Sequence, residues 1–164
     1  MKWYMKQETG AGKDLFTVYN ACCDPVYRLA GDMQILGGKV RLCDEENREV
    51  ARITHMGLAG ISRYTIVIGV KECARILQNL ASSKTPYRLR GVDWRLRGDV
   101  SMRSFDIVDA NDAIVMSHGR CWEACGESFA IDVENTANDL LCICIAAVID
   151  SSALAGAAVA LPVS

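Results

Sequence analysis

The chain of 164 residues has the length of one domain, and a domain of this size buries roughly 70% of the surface that its unfolded chain exposes. Its net charge of −2 and pI near 5.7 argue against non-specific nucleic-acid binding, which depends on a basic surface. Eight cysteines are present, but residues 1–10 contain no apolar run long enough for a signal peptide. We therefore predict one cytoplasmic domain, residues 1–164, with reduced thiols.

The first predicted element is a β-strand at residues 1–6, where side chains alternate with the period of two that is typical of one buried face. The Gly12 and Lys13 that follow resemble the end of a phosphate-binding loop. Such a loop also needs a glycine five residues before this pair and Ser or Thr after it, and those positions hold Gln7 and Asp14. We predict an ordinary loop here.

From residue 15 onward, short alternating runs recur, and each is bounded by turn residues. The runs form successive pairs that have the spacing of β-hairpins. The paired runs are residues 15–20 with 26–31, 39–44 with 49–54, 63–68 with 72–77, 87–90 with 92–97, and 105–109 with 113–118. A last run covers residues 127–133. Roughly twelve short strands at this spacing indicate an all-β sandwich or barrel.

The most distinctive stretch is residues 140–149, which are apolar at every position. A helix that is hydrophobic all round is either enclosed by a protein core or lies in a membrane. We predict a buried central helix over residues 139–150, with Asp139 or Asn138 as its N-cap.

Two alternatives concern the end of this helix. A membrane span over residues 140–161 would place Asp150 at its centre, where a carboxylate costs roughly 2.5 to 3.5 kcal/mol. The soluble interpretation is therefore favoured. Beyond it, Ser151, Ser152 and Gly156 weaken the helix and Pro162 ends it, so the Ala-rich tail of residues 151–164 is expected to leave the barrel.

A distinctive succession of segments is formed by residues 16–18 with 26–31, 42–44 with 49–51, 94–99, 105–109, 128–132 and 140–150. In their order and spacing these segments resemble the LURP-one-related family, and the resemblance extends from the start of the chain to residue 150. That family is similar to the tubby C-terminal domain and the phospholipid scramblases. The resemblance implies a mainly β fold: an antiparallel barrel of about twelve strands closed around a central, hydrophobic C-terminal helix.

The spacing of His118, Cys121 and Cys125 suits part of a zinc site. No second closely spaced pair completes four ligands, so no metal and no cofactor is predicted. Cys142 and Cys144 are two positions apart on the helix and therefore point to different sides. Both are predicted to belong to the core.

Two hypotheses about function follow, and the first is a non-enzymatic one. No nucleophile, base and orienting group occur in a known catalytic pattern, so no catalytic residue is predicted. The preferred function is peripheral binding of anionic lipid headgroups or another phosphorylated ligand, which the tubby-like resemblance implies. The alternative is a small-molecule or catalytic site at the barrel rim near His118, Cys121 and Trp122.

The predicted anion site consists of Arg88, Arg90, Arg95 and Arg97. Strand alternation in residues 87–97 sends all four guanidinium groups to the outer surface. If their two strands pair as a hairpin, like charges lie close together, and an anionic ligand or neighbouring carboxylates would relieve their repulsion. The partner predicted for this surface is an anionic lipid or a membrane surface, with no nucleic acid.

Overall fold

The computed structural model describes residues 1–8, 14–58, 60–79, 81 and 86–160, with the backbone alone for Leu58 and residues 153–160. Within these residues, twelve antiparallel strands and one C-terminal helix confirm the predicted fold class. The strands are β1 (Lys2–Gln7), β2 (Asp14–Tyr19), β3 (Pro25–Gly31), β4 (Lys39–Cys43), β5 (Glu49–Leu58), β6 (Ile61–Ile68), β7 (Lys71–Asn79), β8 (Tyr87–Arg90), β9 (Arg95–Asp99), β10 (Ser104–Val108), β11 (Ile114–Cys121) and β12 (Ser128–Val133). A 3-10 turn at Thr136–Asn138 leads into helix α1, Asp139–Ala160. The Gly12 and Lys13 pair lies outside the described residues.

All twelve strands belong to one sheet, in the order β8-β7-β6-β5-β4-β3-β2-β1-β12-β11-β10-β9. Strands that are neighbours in the chain pair with each other, except β8 and β9, and β1 also pairs with β12 and so joins the first strand to the last. The edge strands are therefore β8 and β9, which follow one another in the chain. The sheet curls into a nearly closed barrel with a seam between these two edges.

The predicted hairpin of residues 87–90 with 92–97 is wrong. The second strand begins at Arg95, and the described residues show no ladder between β8 and β9. Gly91 ends β8 with φ of +86°, a conformation that residues with a Cβ rarely adopt. The chain then turns across the seam, and β8 pairs with β7 while β9 pairs with β10.

The first turns of α1 fill the barrel. Every residue from Cys142 to Asp150 has a relative exposure of 0%, and each strand supplies inward side chains that cover this segment. The inward residues that are most fully buried include Met5, Leu29, Ile53, Ile76, Ile107 and Ile131. A helix that is apolar on every side therefore has protein on every side, as the sequence predicted.

The predicted end of the helix at residue 150 is wrong, because α1 continues without a break to Ala160. Ser151 is buried, and its carbonyl oxygen accepts a hydrogen bond from Gln34 Nε2 at 3.3 Å. Ser152 Oγ lies 3.3 Å from the hydroxyl of Tyr64. These tertiary contacts hold the two serines in the helix, so residue 151 does not leave the barrel. Pro162 lies outside the described residues.

The barrel has two distinct ends, which we name after the course of α1. At the entry end the helix begins, and the N-terminal amine of Met1 donates to the carbonyl oxygen of Val133 at 2.6 Å. At the exit end the helix leaves past Ser152, beside the loop of residues 32–38 and Tyr64 of β6.

Candidate functional site: a basic face on the outer surface

The four arginines of the predicted anion site lie on the two edge strands. Arg88 and Arg90 belong to β8, Arg95 and Arg97 belong to β9, and all four side chains are exposed. Leu89 between the first two is buried, so alternation directs the arginines outward. Because β8 and β9 do not pair, the two pairs of arginines have different neighbours.

The arginines of β9 are matched by carboxylates. Arg97 lies directly opposite Asp106 of β10, with 3.5 Å between its Nη2 and the carboxylate oxygen. Arg95 Nη2 donates to Asp112, in the turn between β10 and β11. Their charges are therefore balanced within the protein, while the anion site of four arginines stays a prediction.

The arginines of β8 instead join two arginines of neighbouring strands. Arg90 lies directly opposite Arg75 of β7, and Arg88 lies opposite Leu77. Leu77 in turn lies opposite Arg63 of β6. Directly opposed like charges destabilise a sheet, because their Cβ atoms are only about 4.5 to 5.5 Å apart. We call Arg63, Arg75, Arg88 and Arg90 the basic face.

The basic face contains more cations than the nearby acidic side chains balance. Glu72 accepts two hydrogen bonds from Arg75, at 2.9 and 3.1 Å. The hydrogen bond from Arg75 lowers the pKa of Glu72, and the charge of Arg63 acts in the same direction. Among the described residues, no carboxylate lies within 4 Å of Arg63, Arg88 or Arg90. Planar guanidinium groups that lack a carboxylate partner suit bidentate binding of phosphate oxygens.

A cleft of about 400 Å³ adjoins the basic face. Arg75, Arg90 and Lys71 line its sides together with one acidic residue, Glu72, while Ala74 and Leu141 contribute apolar surface. Leu141 belongs to the first turn of α1, so the cleft reaches inward toward the helix at the entry end. This combination of cationic walls and an apolar lining suits a ligand that carries a negative charge next to a short apolar group.

The rim residues of the alternative hypothesis do not share an open site. The side chain of His118 is fully buried, and its ring nitrogens lie 2.8 Å from the carbonyl oxygen of Arg103 and 2.9 Å from Asp150 Oδ2. Both nitrogens are therefore occupied. Cys121 is half-buried farther along the same strand, and Trp122 is 59% exposed.

The buried network around Asp150 was not foreseen from the sequence. Arg103 Nε donates to Asp150 Oδ1 at 3.1 Å, and the guanidinium lies 3.6 Å from the centroid of the Phe129 ring. His118 stacks against Phe105, with 4.4 Å between the ring centroids. The available signal was the lone charge of Asp150 in an apolar helix, because a buried carboxylate needs a cation or a hydrogen-bond donor beside it.

The prediction that all thiols are reduced is wrong for one pair, because Cys23 and Cys125 form a disulfide. It joins the β2–β3 turn at the entry end to the loop between β11 and β12. That loop crosses the outer face of β1: a Cβ at Gly126 would lie 3.6 Å from Lys6 Nζ, and Tyr4 is buried although it alternates with inward neighbours. The disulfide therefore holds the β11–β12 loop against the outer face of β1.

The partial zinc motif is not assembled. Cys125 is bonded to Cys23, and His118 contacts Asp150. No group of three or more candidate metal ligands occurs in the part of the chain that the structure describes. In the same part, no helix combines the length and the hydropathy needed to cross a membrane.

Comparison with known proteins supports the fold. The sequence matches the profile of the LURP-one-related family over residues 1–150. The uncharacterized protein YxjI of Bacillus subtilis (strain 168) is 25% identical over 147 residues, which are 90% of each chain. An X-ray structure of a protein from Arabidopsis thaliana is similar with a TM-score of 0.59 and 13% identity, covering 92% of this chain and 90% of that one.

Proposed function

This chain belongs to the LURP-one-related family, and we propose that its barrel is a non-enzymatic module that binds anionic, phosphorylated groups. The ligands are the headgroups of anionic lipids or a soluble phosphorylated compound. In the first case the protein lies at a membrane surface as a peripheral protein, which the similarity of this family to the tubby C-terminal domain implies.

The observation that supports this proposal is the direct opposition of Arg75 and Arg90, with Arg63 and Arg88 in the adjacent row. Among the described residues, Glu72 pairs with Arg75, and the other three cations have no carboxylate within 4 Å. An anion between the strands would relieve the repulsion and gain several charge-assisted hydrogen bonds.

An ordinary solvated surface is the competing interpretation, and the same chain shows how such a surface is arranged. Arg41 pairs with Glu49 at 3.1 Å, and Arg48 pairs with Asp44 at 3.3 Å. The arginines of β9 are matched in the same way. Arg41 also lies opposite another arginine, Arg52, but Glu49 lies within 4 Å of both. In the basic face, by contrast, Glu72 pairs with Arg75 alone among the described residues, and Arg90 opposite it has no carboxylate within 4 Å.

The test compares two double variants that remove equal charge. Arg88→Ser with Arg90→Ser disrupts the basic face, whereas Arg95→Ser with Arg97→Ser removes the paired arginines of β9. Binding to vesicles that contain phosphatidylglycerol is measured by co-sedimentation at low salt. Each arginine near an anionic surface contributes about 1 kcal/mol to the binding free energy. The first variant loses two arginines, so it should bind roughly 30-fold more weakly. The β9 variant should change binding far less.

Two further measurements distinguish a lipid headgroup from a soluble phosphorylated ligand. Vesicles of phosphatidylcholine alone should not bind, and salt should weaken binding to the anionic vesicles. Titration with soluble inositol phosphates shows whether the phosphate group alone suffices. Equal loss in both double variants, or no binding to any of these anions, contradicts the proposed function.

A further inference from the structure

Four large apolar side chains are exposed together at the exit end. They are Ile35 at 57%, Leu36 at 64%, Met56 at 44% and Ile61 at 47%. Isolated apolar side chains are normal on a protein surface, whereas contiguous ones mark contact sites. We call these four residues the apolar tip.

Backbone contacts place the loop of the apolar tip next to the end of β5, which carries Met56. The loop that carries Ile35 and Leu36 is tied to β5, since Gly37 N donates to the carbonyl oxygen of His55 at 2.6 Å and His55 N donates to that of Gly38 at 3.0 Å. Leu36 lies against Gly57, where an added Cβ would be 3.0 Å from Leu36 Cδ2. The loop thus places its two apolar side chains beside the end of β5.

The apolar tip also continues directly into the basic face. Met56 lies opposite Arg63 in the pairing of β5 with β6. Ile61 is two residues before Arg63 on the same strand and therefore has the same outward orientation. The outer surface of β6 therefore changes from apolar at Ile61, near the rim, to cationic at Arg63, the next outward residue.

The end of α1 leaves the barrel on the same side. Gln34, next to the apolar tip, contacts the carbonyl oxygen of Ser151, and the helix backbone continues to Ala160. The sequence of residues 153–160 contains no charged side chain. The exit end therefore combines an exposed apolar rim with an uncharged chain segment.

We propose that the apolar tip enters the outer layer of an anionic bilayer while the basic face contacts the adjacent headgroups. This inference rests on the proposed function, because it requires the basic face to bind anionic lipid. Contiguous apolar and cationic surface matches the two layers at a bilayer boundary, with acyl chains below and phosphate groups above. A soluble phosphorylated ligand would explain the arginines but would leave the apolar tip without a partner.

Depth-dependent quenching tests the orientation. Leu36→Trp places an indole in the apolar tip, and Ile114→Trp is the matched control at the entry end, where Ile114 is 41% exposed. Both variants keep the native tryptophans, so their difference isolates the new side chain. With phosphatidylglycerol vesicles that carry brominated acyl chains, Leu36→Trp should gain a quenched, blue-shifted component. The control should show no added quenching.

A second pair of variants measures the contribution of the apolar tip to binding. Leu36→Asp should weaken vesicle binding by about tenfold or more, because a leucine loses its apolar contact and a negative charge approaches the lipid. Ile114→Asp adds the same charge at the entry end and should have a smaller effect. Thermal unfolding confirms that each variant is folded.

The outcomes separate this inference from the proposed function. Vesicle binding without quenching of Leu36→Trp overturns insertion of the apolar tip and leaves binding by the basic face intact. Binding of soluble inositol phosphate with no vesicle binding also overturns insertion, while the proposed function stands. Loss of binding to every anion overturns both.

Discussion

The two ends of the buried helix segment carry the same type of residue in different surroundings. Asp139 at the entry end is half-buried in the first turn, and its Oδ1 has no hydrogen-bond partner among the described residues. Burial raises its pKa, which Trp3 and the N-terminal amine offset only in part. Asp150 at the exit end is fully buried and paired with Arg103 and His118.

This difference shows two ways in which a carboxylate is tolerated near an apolar core. Partial exposure and the positive end of the helix dipole accommodate Asp139. Asp150 has neither partial exposure nor the positive end of a helix dipole beside it. Its partners are therefore side chains from other elements, Arg103 of the β9–β10 turn and His118 of β11. The exit end is therefore the part of the core where single substitutions should be most damaging.

The largest expected effect comes from ionising the residues between and beside the two aspartates. Burial raises the pKa of Cys142 and Cys144 to about 12, and it raises the pKa of Tyr87 at the exit end to about 12. Each folded-state pKa lies above that of the unfolded chain, so the folded protein retains protons that the unfolded chain has lost. Their stabilisation is fully present below about pH 9 and is lost as the pH rises to 12.

Denaturant titrations at pH 8, 9, 10 and 11 measure this effect. The combined loss by pH 12 is on the order of 10 kcal/mol, which is comparable to the total stability of a domain. The variant Cys142→Ala with Cys144→Ala should show a shallower decline with pH. A free energy of unfolding that stays constant from pH 8 to 11 would contradict this account of the buried thiols.

The second prediction concerns the exit end directly. Asp150→Ala leaves the guanidinium of Arg103 buried without its carboxylate, and breaking a buried pair in this way costs about 3 to 5 kcal/mol. Urea unfolding at pH 7 measures the loss. Asp150→Leu combined with Arg103→Met should recover part of it, because the double variant removes the charges of both Asp150 and Arg103, while His118 still loses its partner. If the double variant is less stable than Asp150→Ala, the ion pair does not explain the loss.

The third prediction concerns the external link between the two ends. The disulfide of Cys23 and Cys125 connects residues 102 positions apart, so it restricts a long loop of the unfolded chain. Replacing both cysteines by serine should lower the free energy of unfolding by about 2 to 4 kcal/mol. Cys22→Ser, next to the bridge, is the matched control and should change stability by less than about 0.5 kcal/mol. Equal stability of the wild type with and without a reducing agent would refute this prediction.

The smallest effect is expected at the entry end. Asp139→Asn keeps the size of the side chain and removes the charge from the first turn, which should change stability by less than about 1 kcal/mol. The same urea measurement applies. A loss as large as that of Asp150→Ala would remove the distinction between the ends of the helix.

Sequence reasoning succeeded where a local pattern determines the outcome. Alternation predicted the outward direction of Arg88 and Arg90, and the uniform apolar run predicted the burial of residues 142–149. Alternation indicates which face a side chain occupies, but it does not identify the adjacent strand. The four arginines were therefore predicted to share one site, although two of them belong with Arg63 and Arg75.

The other errors also come from contacts between distant parts of the chain. Weak helix formers at Ser151 and Ser152 predicted an end to α1, but Gln34 and Tyr64 hold them in place. The disulfide depends on the approach of two loops that are remote in sequence. Neither contact leaves a signal in the local pattern of hydrophobicity.

The position of α1 at the C-terminal end of the described chain has a consequence for biosynthesis. All twelve strands leave the ribosome before the helix that fills their barrel, and β1 must wait for β12 to complete its pairing. During this interval the apolar inner side chains have no permanent cover. Such long-range closure is slow and exposes surface that aggregates, so the nascent chain depends on chaperones or rapid release more than a protein whose core forms first.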